Sequence, residues 1–153
     1  MARVGAAVHV VTTDGEAGRQ GFTASAVTSV TDDPPTLLVC QNRTSSSHAA
    51  FRRNGVLCVN TLSAAQQDLS PVFAGMTDVD MAGRFAAGRW STLATGAPVL
   101  QGALVSFDCR ISQIVEVGTH NVLFCEVVDV AVGEAGEALI YYGRDYHSLP
   151  AGF

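Results

Sequence analysis

The sequence predicts a mainly β protein, an antiparallel barrel of six or seven strands with two short helices. Three observations favour this class. Runs of β-branched and aromatic residues are separated by turn residues, no long helix alternates with them as in βαβ proteins, and 48% of the 153 residues are hydrophobic. Since charged residues make up only 15%, we expect one domain over residues 1–153 with a large buried core.

The first strands are predicted to form a hairpin. Residues 4–13 and 20–31 supply its two strands, and the dipeptide at 14–15 begins the turn. The second strand stops at residues 32–35, because consecutive prolines donate no ladder hydrogen bonds. It resumes over residues 36–40.

Two short helices are predicted next. Residues 44–53 begin with hydroxyl residues that can cap a helix and end with two arginines, and Ser63 can cap a second helix over residues 63–69. A strand over residues 55–60 lies between them. Residues 70–95 are rich in glycine and weakly patterned, so we predict no regular element there.

The second half of the chain returns to strands. Residues 105–112 alternate apolar and polar, which predicts one buried face, and a break at Ser112 predicts a bulge before residues 114–117. Residues 121–130 are almost continuously apolar, as in a strand buried on both faces. Residues 139–142 form the last predicted strand.

Charge and composition exclude several functions. All nine cationic residues are arginine, against fourteen acidic residues, so the net charge is -5 and no nucleic-acid or anionic-membrane partner is expected. No apolar stretch approaches the roughly 20 residues of a membrane span, and the N-terminus lacks the pattern of a signal peptide. We therefore expect a cytoplasmic protein.

The sequence also lacks the common motifs of enzyme sites. No dinucleotide-binding, phosphate-loop, zinc-protease or serine-hydrolase motif occurs. The four cysteines, at positions 40, 58, 109 and 125, are far apart and lie in apolar runs. We predict that they are buried thiols, and we predict neither disulfides nor a metal site.

Two segments carry small and hydroxylated residues where strands usually carry bulky ones. They are residues 21–29 and 42–48. Small side chains let a flat ligand approach the backbone, and hydroxyls beside Arg43 at a helix start are typical of an anion site. The two segments predict a platform for a planar ring with a phosphate at one end. The alternative is that the hydroxyls decorate an exposed strand and cap a helix.

The order of residues in these segments resembles the short-chain flavin reductases, the NAD(P)H:flavin partners of two-component monooxygenases. The resemblance covers residues 21–40 with the following Ser-Ser-Ser-His stretch, residues 118–127, which are similar to G-D-H-x-x-x-x-G-E-V, and residues 143–147, which are similar to G-x-x-Y-H. Thr119 stands where that family has aspartate, and Cys125 where it has glycine. The first departure argues against a carboxylate that orients His120.

The resemblance implies a fold and an activity. The fold is the FMN-binding split β-barrel, antiparallel and similar to a Greek key, which forms a homodimer with flavin near the subunit interface. The activity is hydride transfer from nicotinamide C4 to flavin N5, after which the reduced flavin goes to a separate oxygenase. FMN is the expected flavin, with FAD as the alternative, and NADH is the expected donor, with NADPH as the alternative.

The resemblance also implies the site residues. The flavin ring would lie on Thr23, Ala24, Ser25 and Ala26. The ribityl chain would follow Cys40, Gln41 and Asn42, and the phosphate would meet Ser45, Ser46 and Ser47. Arg84 and Phe85 would close over the flavin, the alternative being a surface arginine and a core phenylalanine. Arg144 and Tyr146 complete the cofactor-binding set.

Histidines are the candidate catalytic residues. By the same resemblance, His120 and His147 position the ligands and stabilise charge, because hydride transfer needs no protein nucleophile. His48 is a candidate brace for the phosphate, whereas His9 is expected to pack within its strand. Two other classes stay open, namely a flavin- or haem-binding barrel without catalysis and an oligomeric barrel without a ligand.

Overall fold

The computed structural model describes residues 1–152 and consists mainly of antiparallel strands, which confirms the predicted fold class. In chain order the strands are β1 (Ala6–Ala7), β2 (His9–Thr13), β3 (Gln20–Ala24), β4 (Val27–Asp32), β5 (Pro35–Asn42), β6 (Val56–Thr61), β7 (Trp90–Thr92), β8 (Pro98–Leu100), β9 (Val105–Val117), β10 (His120–Val132), β11 (Ala138–Tyr142) and β12 (Asp145–Leu149). The helices are α1 (His48–Asn54), α2 (Leu69–Phe73) and α3 (Met81–Ala86), with a 3₁₀ turn at Ala64–Gln66.

Seven strands form the central sheet, in the order β3-β2-β6-β9-β10-β5-β4. Strands β3 and β4 are at opposite edges of this sheet, yet only Ser25 and Ala26 separate them in the chain. The sheet must therefore curl until its two edges approach each other, which makes it a barrel that stays split between β3 and β4. The Cys40 N–H donates to the Ala26 carbonyl at 3.0 Å and ties this junction to β5. We call residues 23–26 the corner segment.

Two hydrophobic clusters lie on either side of the barrel wall. The inner cluster fills the barrel, and α1 closes one end of it through the fully buried Phe51. The outer cluster lies between the first strands and α2 and α3, where Phe73 and Phe85 meet edge to face with ring centroids 5.2 Å apart. Trp90 packs against both rings. This outer cluster fixes the two short helices beside the corner segment.

Two smaller sheets complete the fold. The order β1-β11-β12 forms a three-stranded sheet, and β7 pairs with β8. The first of these sheets is joined to β2, because the Val8 N–H donates to the Leu139 carbonyl at 3.3 Å. This contact brings the C-terminal hairpin close to the corner segment. Within residues 1–152, no helix is long and apolar enough to cross a membrane.

The first hairpin differs from its prediction at one point. Strands β2 and β3 pair as expected, but the predicted continuous strand over residues 20–31 is wrong, since it breaks at Ser25 and Ala26. The Val27 N–H donates to the Ser25 carbonyl at 3.0 Å, which marks a sharp turn. Small side chains permit that turn without a steric clash. The predicted stop at residues 32–35 is confirmed between β4 and β5.

The predicted helices are partly confirmed. Helix α1 begins at His48, later than predicted, and ends at Asn54. It is followed by Gly55, whose φ of 68° is left-handed as expected for the residue that caps a helix C-terminus. The second predicted helix is instead the 3₁₀ turn, although Ser63 does cap it. The segment 70–95, for which no element was predicted, contains most of α2 and all of α3 and β7. Helices of five or six residues are too short to show a readable period.

The long hairpin of β9 and β10 carries the predicted bulge. Phe124 pairs with Gln113 and Cys125 with Ile111, so Ser112 is the extra residue. The prediction that residues 121–130 are buried on both faces is wrong. The first half of β10 alternates between buried and half-buried residues, whereas most of its second half is exposed. Val127 packs against the inner cluster, whereas Val128, Val130 and Val132 are exposed.

Candidate functional site

A cleft of about 480 Å³ opens at the corner segment. Its floor is the corner segment itself together with Phe22. One wall comes from the ends of β5 and β10 and the loop before α1, and it consists of Cys40, Asn42, Thr44, Ser45, Ser46 and His120. The other wall comes from α2, α3 and the turn after α2, and it consists of Phe73, Ala74, Gly75 and Arg84. Most of the residues predicted for the flavin site therefore line a single cleft.

The floor exposes backbone to the cleft. Strand β3 is an edge strand, so alternate N–H groups point away from β2 and have no partner strand. The side chains of Ala24, Ser25 and Ala26 are too small to cover them. A planar ring can therefore reach backbone donors at this floor.

The hydroxyl-rich loop is held in place by its own side chains. Asn42 accepts hydrogen bonds at Oδ1 from the Thr44 N–H at 2.9 Å and from the Thr44 hydroxyl at 2.8 Å. Ser45 and Ser47 share a hydrogen bond between their hydroxyls at 2.9 Å, and Ser47 is buried away from the cleft. Thr44, Ser45 and Ser46 of this loop line the cleft.

His120 lies at the start of β10 and borders the same wall. Its Nδ1 is 2.8 Å from the Thr119 hydroxyl, so a hydroxyl takes the place at which the family resemblance puts a carboxylate. Arg43 holds the turn behind it. The Arg43 guanidinium donates to the carbonyls of Gly118 and His120, the latter at 2.9 Å, and does not line the cleft.

Among residues 1–152, Arg84 brings the only formal positive charge to the lining of the cleft, and no aspartate or glutamate lines it. Its Nε atom is buried and finds no hydrogen-bond acceptor within residues 1–152. Gly75 has a φ of 74°, and a Cβ there would be 3.3 Å from Arg84 Nη2, so glycine leaves room for the guanidinium. A buried donor without an acceptor is costly, which favours an anionic or carbonyl group of a ligand beside it.

Six predicted site residues lie outside the cleft. Gln41 is 1% exposed and points into the barrel because side chains alternate along β5, and Ser47 faces Ser45. Phe85 is 4% exposed and belongs to the outer hydrophobic cluster, which is the core alternative. The remaining three belong to the C-terminal hairpin, and they are Arg144, Tyr146 and His147.

The C-terminal hairpin lies beside the cleft. The Tyr146 hydroxyl donates to Ser70 Oγ at 2.7 Å, and the Ser70 carbonyl accepts from the Thr23 hydroxyl, also at 2.7 Å. His147 is exposed, and its Nε2 is 3.0 Å from the Tyr142 carbonyl. His48, the candidate phosphate brace, instead contacts the Ser45 carbonyl through Nδ1 at 3.0 Å.

The wall made by Phe73, Ala74 and Gly75 is not predicted by the sequence patterns. Those residues lie in the weakly patterned segment, and only Gly75 before a polar stretch could have indicated a turn there. Phe22 and Thr44 lie within the two segments rich in small and hydroxylated residues, but the sequence predicts no role for them. Their contribution follows from the position of the cleft.

The buried cysteine thiols are not suited to act as nucleophiles. Burial raises the pKa of the Cys125 thiol to about 12, and it raises the pKa of Cys58 and Cys109 as well, so these thiols stay protonated at neutral pH. The cysteines form no disulfide, as predicted. Burial lowers the pKa of His9 to about 4, and its Nδ1 is 3.0 Å from the Thr61 hydroxyl, so His9 is a packed, neutral strand residue, as expected.

The curled antiparallel barrel, with a cleft where its two edge strands part, places the chain in the class of split-barrel proteins. Comparison with known families identifies the group within this class. Residues 1–150 match the family described as "Flavin reductase like domain", and the chain belongs to that family.

The relatives of similar sequence match this chain over nearly its whole length. FMN reductase (NADH) RutF of Variovorax paradoxus (strain S110) is 60% identical over 151 residues, covering 99% of this chain and 83% of the relative. The protein of the same name from Ancylobacter novellus is 62% identical over 149 residues, covering 97% and 81%. Within the family, the sequence motifs predicted a likeness to the flavin reductase of the pyrimidine-utilisation (Rut) pathway, and these relatives confirm it.

Solved structures agree with the fold. BorF, the flavin reductase component of a bacterial two-component tryptophan halogenase, superposes with a TM-score of 0.89 at 29% identity, covering 97% of this chain and 93% of that one. The NADH:FAD oxidoreductase SgcE6 of Streptomyces globisporus, in complex with NAD and FAD fragments, has a TM-score of 0.88 at 26% identity, covering 99% and 89%.

Proposed function

We propose that the cleft at the corner segment is where this chain reduces FMN with NADH, and that the reduced flavin then leaves for a separate oxygenase. The chain is an NADH-dependent FMN reductase, as its family and its relatives named FMN reductase (NADH) indicate. The observation that carries the site assignment is that the motif residues 23–26, 42 and 45–46 meet Arg84 and His120 around one cleft.

The residues of the cleft fit a flavin mononucleotide. The backbone floor offers donors to the polar edge of the ring, and the buried Nε of Arg84 offers a further donor from the opposite wall. Thr44, Ser45 and Ser46 offer hydroxyls to the phosphate. When bound, the flavin accepts at N5 the hydride that leaves nicotinamide C4, and a proton from solvent completes the two-electron reduction.

The side chains of the cleft bind the flavin and orient it. The Thr119 hydroxyl fixes the orientation of the His120 ring at the mouth of the cleft. Arg84 favours ligands that are anionic or gain negative charge, as a flavin ring does when it is reduced. Phe73 restricts the access of water on the same wall, because it is almost fully buried and packed edge to face.

Two pairs of variants test the position of the ring and the phosphate. Ser25→Leu fills the floor and should abolish detectable FMN binding, whereas Ser91→Leu, on an exposed strand outside the cleft, should leave it unchanged. Arg84→Gln should raise the KM for both FMN and riboflavin, while Ser46→Ala should raise the KM for FMN alone. If Ser25→Leu binds FMN normally, the floor assignment is wrong.

The activity is tested by anaerobic NADH oxidation with FMN, with FAD and without flavin in parallel. Flavin-dependent loss of NADH absorbance is the expected result, with the highest kcat/KM for FMN. A protein that binds flavin tightly but leaves NADH unoxidised would instead be a storage or sensing protein. That outcome would overturn the enzymatic proposal.

The proposed homodimer is supported by exposed apolar residues on the strands. Val115 and Val117 on β9, and Val128, Val130 and Val132 on β10, are between 37% and 81% exposed. They form two exposed apolar patches, one at each end of the β9-β10 hairpin, and such patches often mark an interface. Val130→Glu should give a monomer in sedimentation experiments, whereas Val79→Glu, on a loop, should not. A monomeric wild type would refute the dimer.

Delivery of reduced flavin is supported by BorF, itself the reductase component of a two-component system. The proposed location is the cytoplasm, where NADH is supplied. The test is a coupled assay in which the reductase and an oxygenase are separated by a dialysis membrane that passes FMN. Product formation across the membrane is expected. Product formation only when the proteins are mixed would refute free diffusion.

A further inference from the structure

Three cavities meet at the corner segment, and Ser25 lines all of them. One is the cleft assigned to the flavin. The other two have volumes of about 190 and 580 Å³, and Tyr141 lines both. We call these two cavities the tyrosine groove. It begins on the floor of the flavin cleft and runs toward the C-terminal hairpin.

An aromatic platform lies along the groove. Tyr141 is 39% exposed, and its ring packs against that of Tyr146 with centroids 5.3 Å apart. Tyr146 is in turn fixed to Ser70, which also holds Thr23 of the corner segment. The exposed ring of Tyr141 therefore has a fixed position relative to the floor of the cleft.

A cation lies at the far end of the groove. Arg144 lines the larger cavity, is exposed, and forms no ion pair with any residue of the described chain up to position 152. It has a φ of 64° in the tight turn between β11 and β12, where glycine or asparagine is the usual residue. The groove thus combines one aromatic face with one free guanidinium.

We propose that the tyrosine groove binds the adenosine diphosphate arm of NADH, with the adenine on Tyr141 and the pyrophosphate at Arg144. This inference rests on the proposed function, because the nicotinamide must reach the flavin over the corner segment. A nucleobase stacks on an exposed aromatic ring, and a guanidinium pairs with phosphate oxygens.

The experiment compares NADH with reduced nicotinamide mononucleotide, which lacks the adenosine arm. Arg144→Gln and Tyr141→Leu should each raise the KM for NADH about tenfold, as expected for the loss of one charge-assisted hydrogen bond or one stacking contact. The KM for the mononucleotide should change less than twofold. ADP-ribose should compete with NADH in the wild type and bind at least fivefold more weakly to both variants.

Matched controls are available outside the groove. Arg110→Gln replaces an exposed arginine on β9, and Tyr142→Leu replaces the neighbouring tyrosine, which lines neither cavity. Neither change should affect the KM for NADH. An unchanged KM for NADH in Arg144→Gln and Tyr141→Leu, or equal rises for both donors, would overturn the inference. Failure of the wild type to oxidise either donor would instead refute the proposed function.

Discussion

Replacing Gly21 with alanine is expected to disturb both the stability of the barrel and the flavin cleft. Gly21 is buried in β3, immediately behind the cleft wall. A Cβ at this position would be 2.9 Å from Phe73 Cε1, 3.0 Å from Phe73 Cδ1 and 3.4 Å from Phe85 Cζ. Carbon atoms in ordinary contact are about 3.5–4.0 Å apart, so the Phe73 ring must move by roughly 0.5–1 Å.

The surrounding rings limit where Phe73 can go. Phe85 and Trp90 hold it edge on, with centroids at 5.2 and 5.7 Å, and the opposite side of the ring borders the flavin cleft. Overpacking of this kind costs about 1–3 kcal/mol. A loss of about 2 kcal/mol in a protein of this size lowers Tm by roughly 4–8 °C. The movement into the cleft should also weaken FMN binding several-fold.

The assay combines thermal unfolding with a flavin titration. Gly136→Ala is the matched control, because its Cβ would be 3.5 Å from Leu104 Cδ2, an ordinary contact, and its backbone is not left-handed. The control should keep its Tm and its FMN affinity. If Gly21→Ala has a Tm within about 1 °C of the control and the same FMN affinity, Phe73 is not held as the structure indicates.

Three further predictions concern single side chains. Burial lowers the pKa of His9 to about 4, so as pH falls below 6.5 a proton binds the unfolded chain before it binds the folded one. The free energy of unfolding should therefore drop by about 2 kcal/mol between pH 7 and 5. A His9→Leu variant with the same dependence of unfolding free energy on pH in urea titrations would contradict this. Asn60→Ala removes the acceptor of the Leu100 N–H and the Ser106 hydroxyl and the donor to the Val10 carbonyl. It should lower the free energy of unfolding, measured with urea, by roughly 3–5 kcal/mol. A loss below about 1 kcal/mol would show that the network is dispensable. Thr119→Val removes the hydroxyl beside His120 Nδ1, and it should lower kcat several-fold while leaving Tm unchanged, since Thr119 is exposed; unchanged kcat would show that the contact does not orient the ring.

The sequence carried enough information to predict the barrel class and the floor of the cleft. Both depend on local patterns: alternating apolar residues predict strands, and small or hydroxylated residues where bulk is usual indicate a place that a ligand approaches. The break at residues 25–26 was hidden because serine and alanine are also compatible with a continuous strand. The break becomes evident only from the strand pairing, since β3 pairs with β2 whereas β4 pairs with β5.

Other parts of the site depend on contacts between segments that are distant in sequence. The wall that contains Phe73 and Arg84 comes from two helices of five and six residues, whose position is set by the outer hydrophobic cluster. The position of Gln41, in contrast, could be predicted from the sequence. Side chains alternate along a strand, so Gln41 points to the face of β5 opposite to that of Cys40 and Asn42. The family resemblance assigned these three residues together, although a strand cannot point consecutive side chains at the same ligand.

The position of the cleft follows from how this barrel closes. Edge strands expose unpaired backbone groups and are usually protected by charged residues, proline or a covering element. Strand β3 carries neither a charged residue nor a proline. Helices α2 and α3 cover only the face of β3 against which Phe73 and Phe85 pack. The corner segment, where β3 and β4 part, is left with donors that no strand can satisfy. A flat ligand with acceptors along one edge satisfies those donors without closing the barrel, so the same break in the sheet that permits the fold also creates the flavin site.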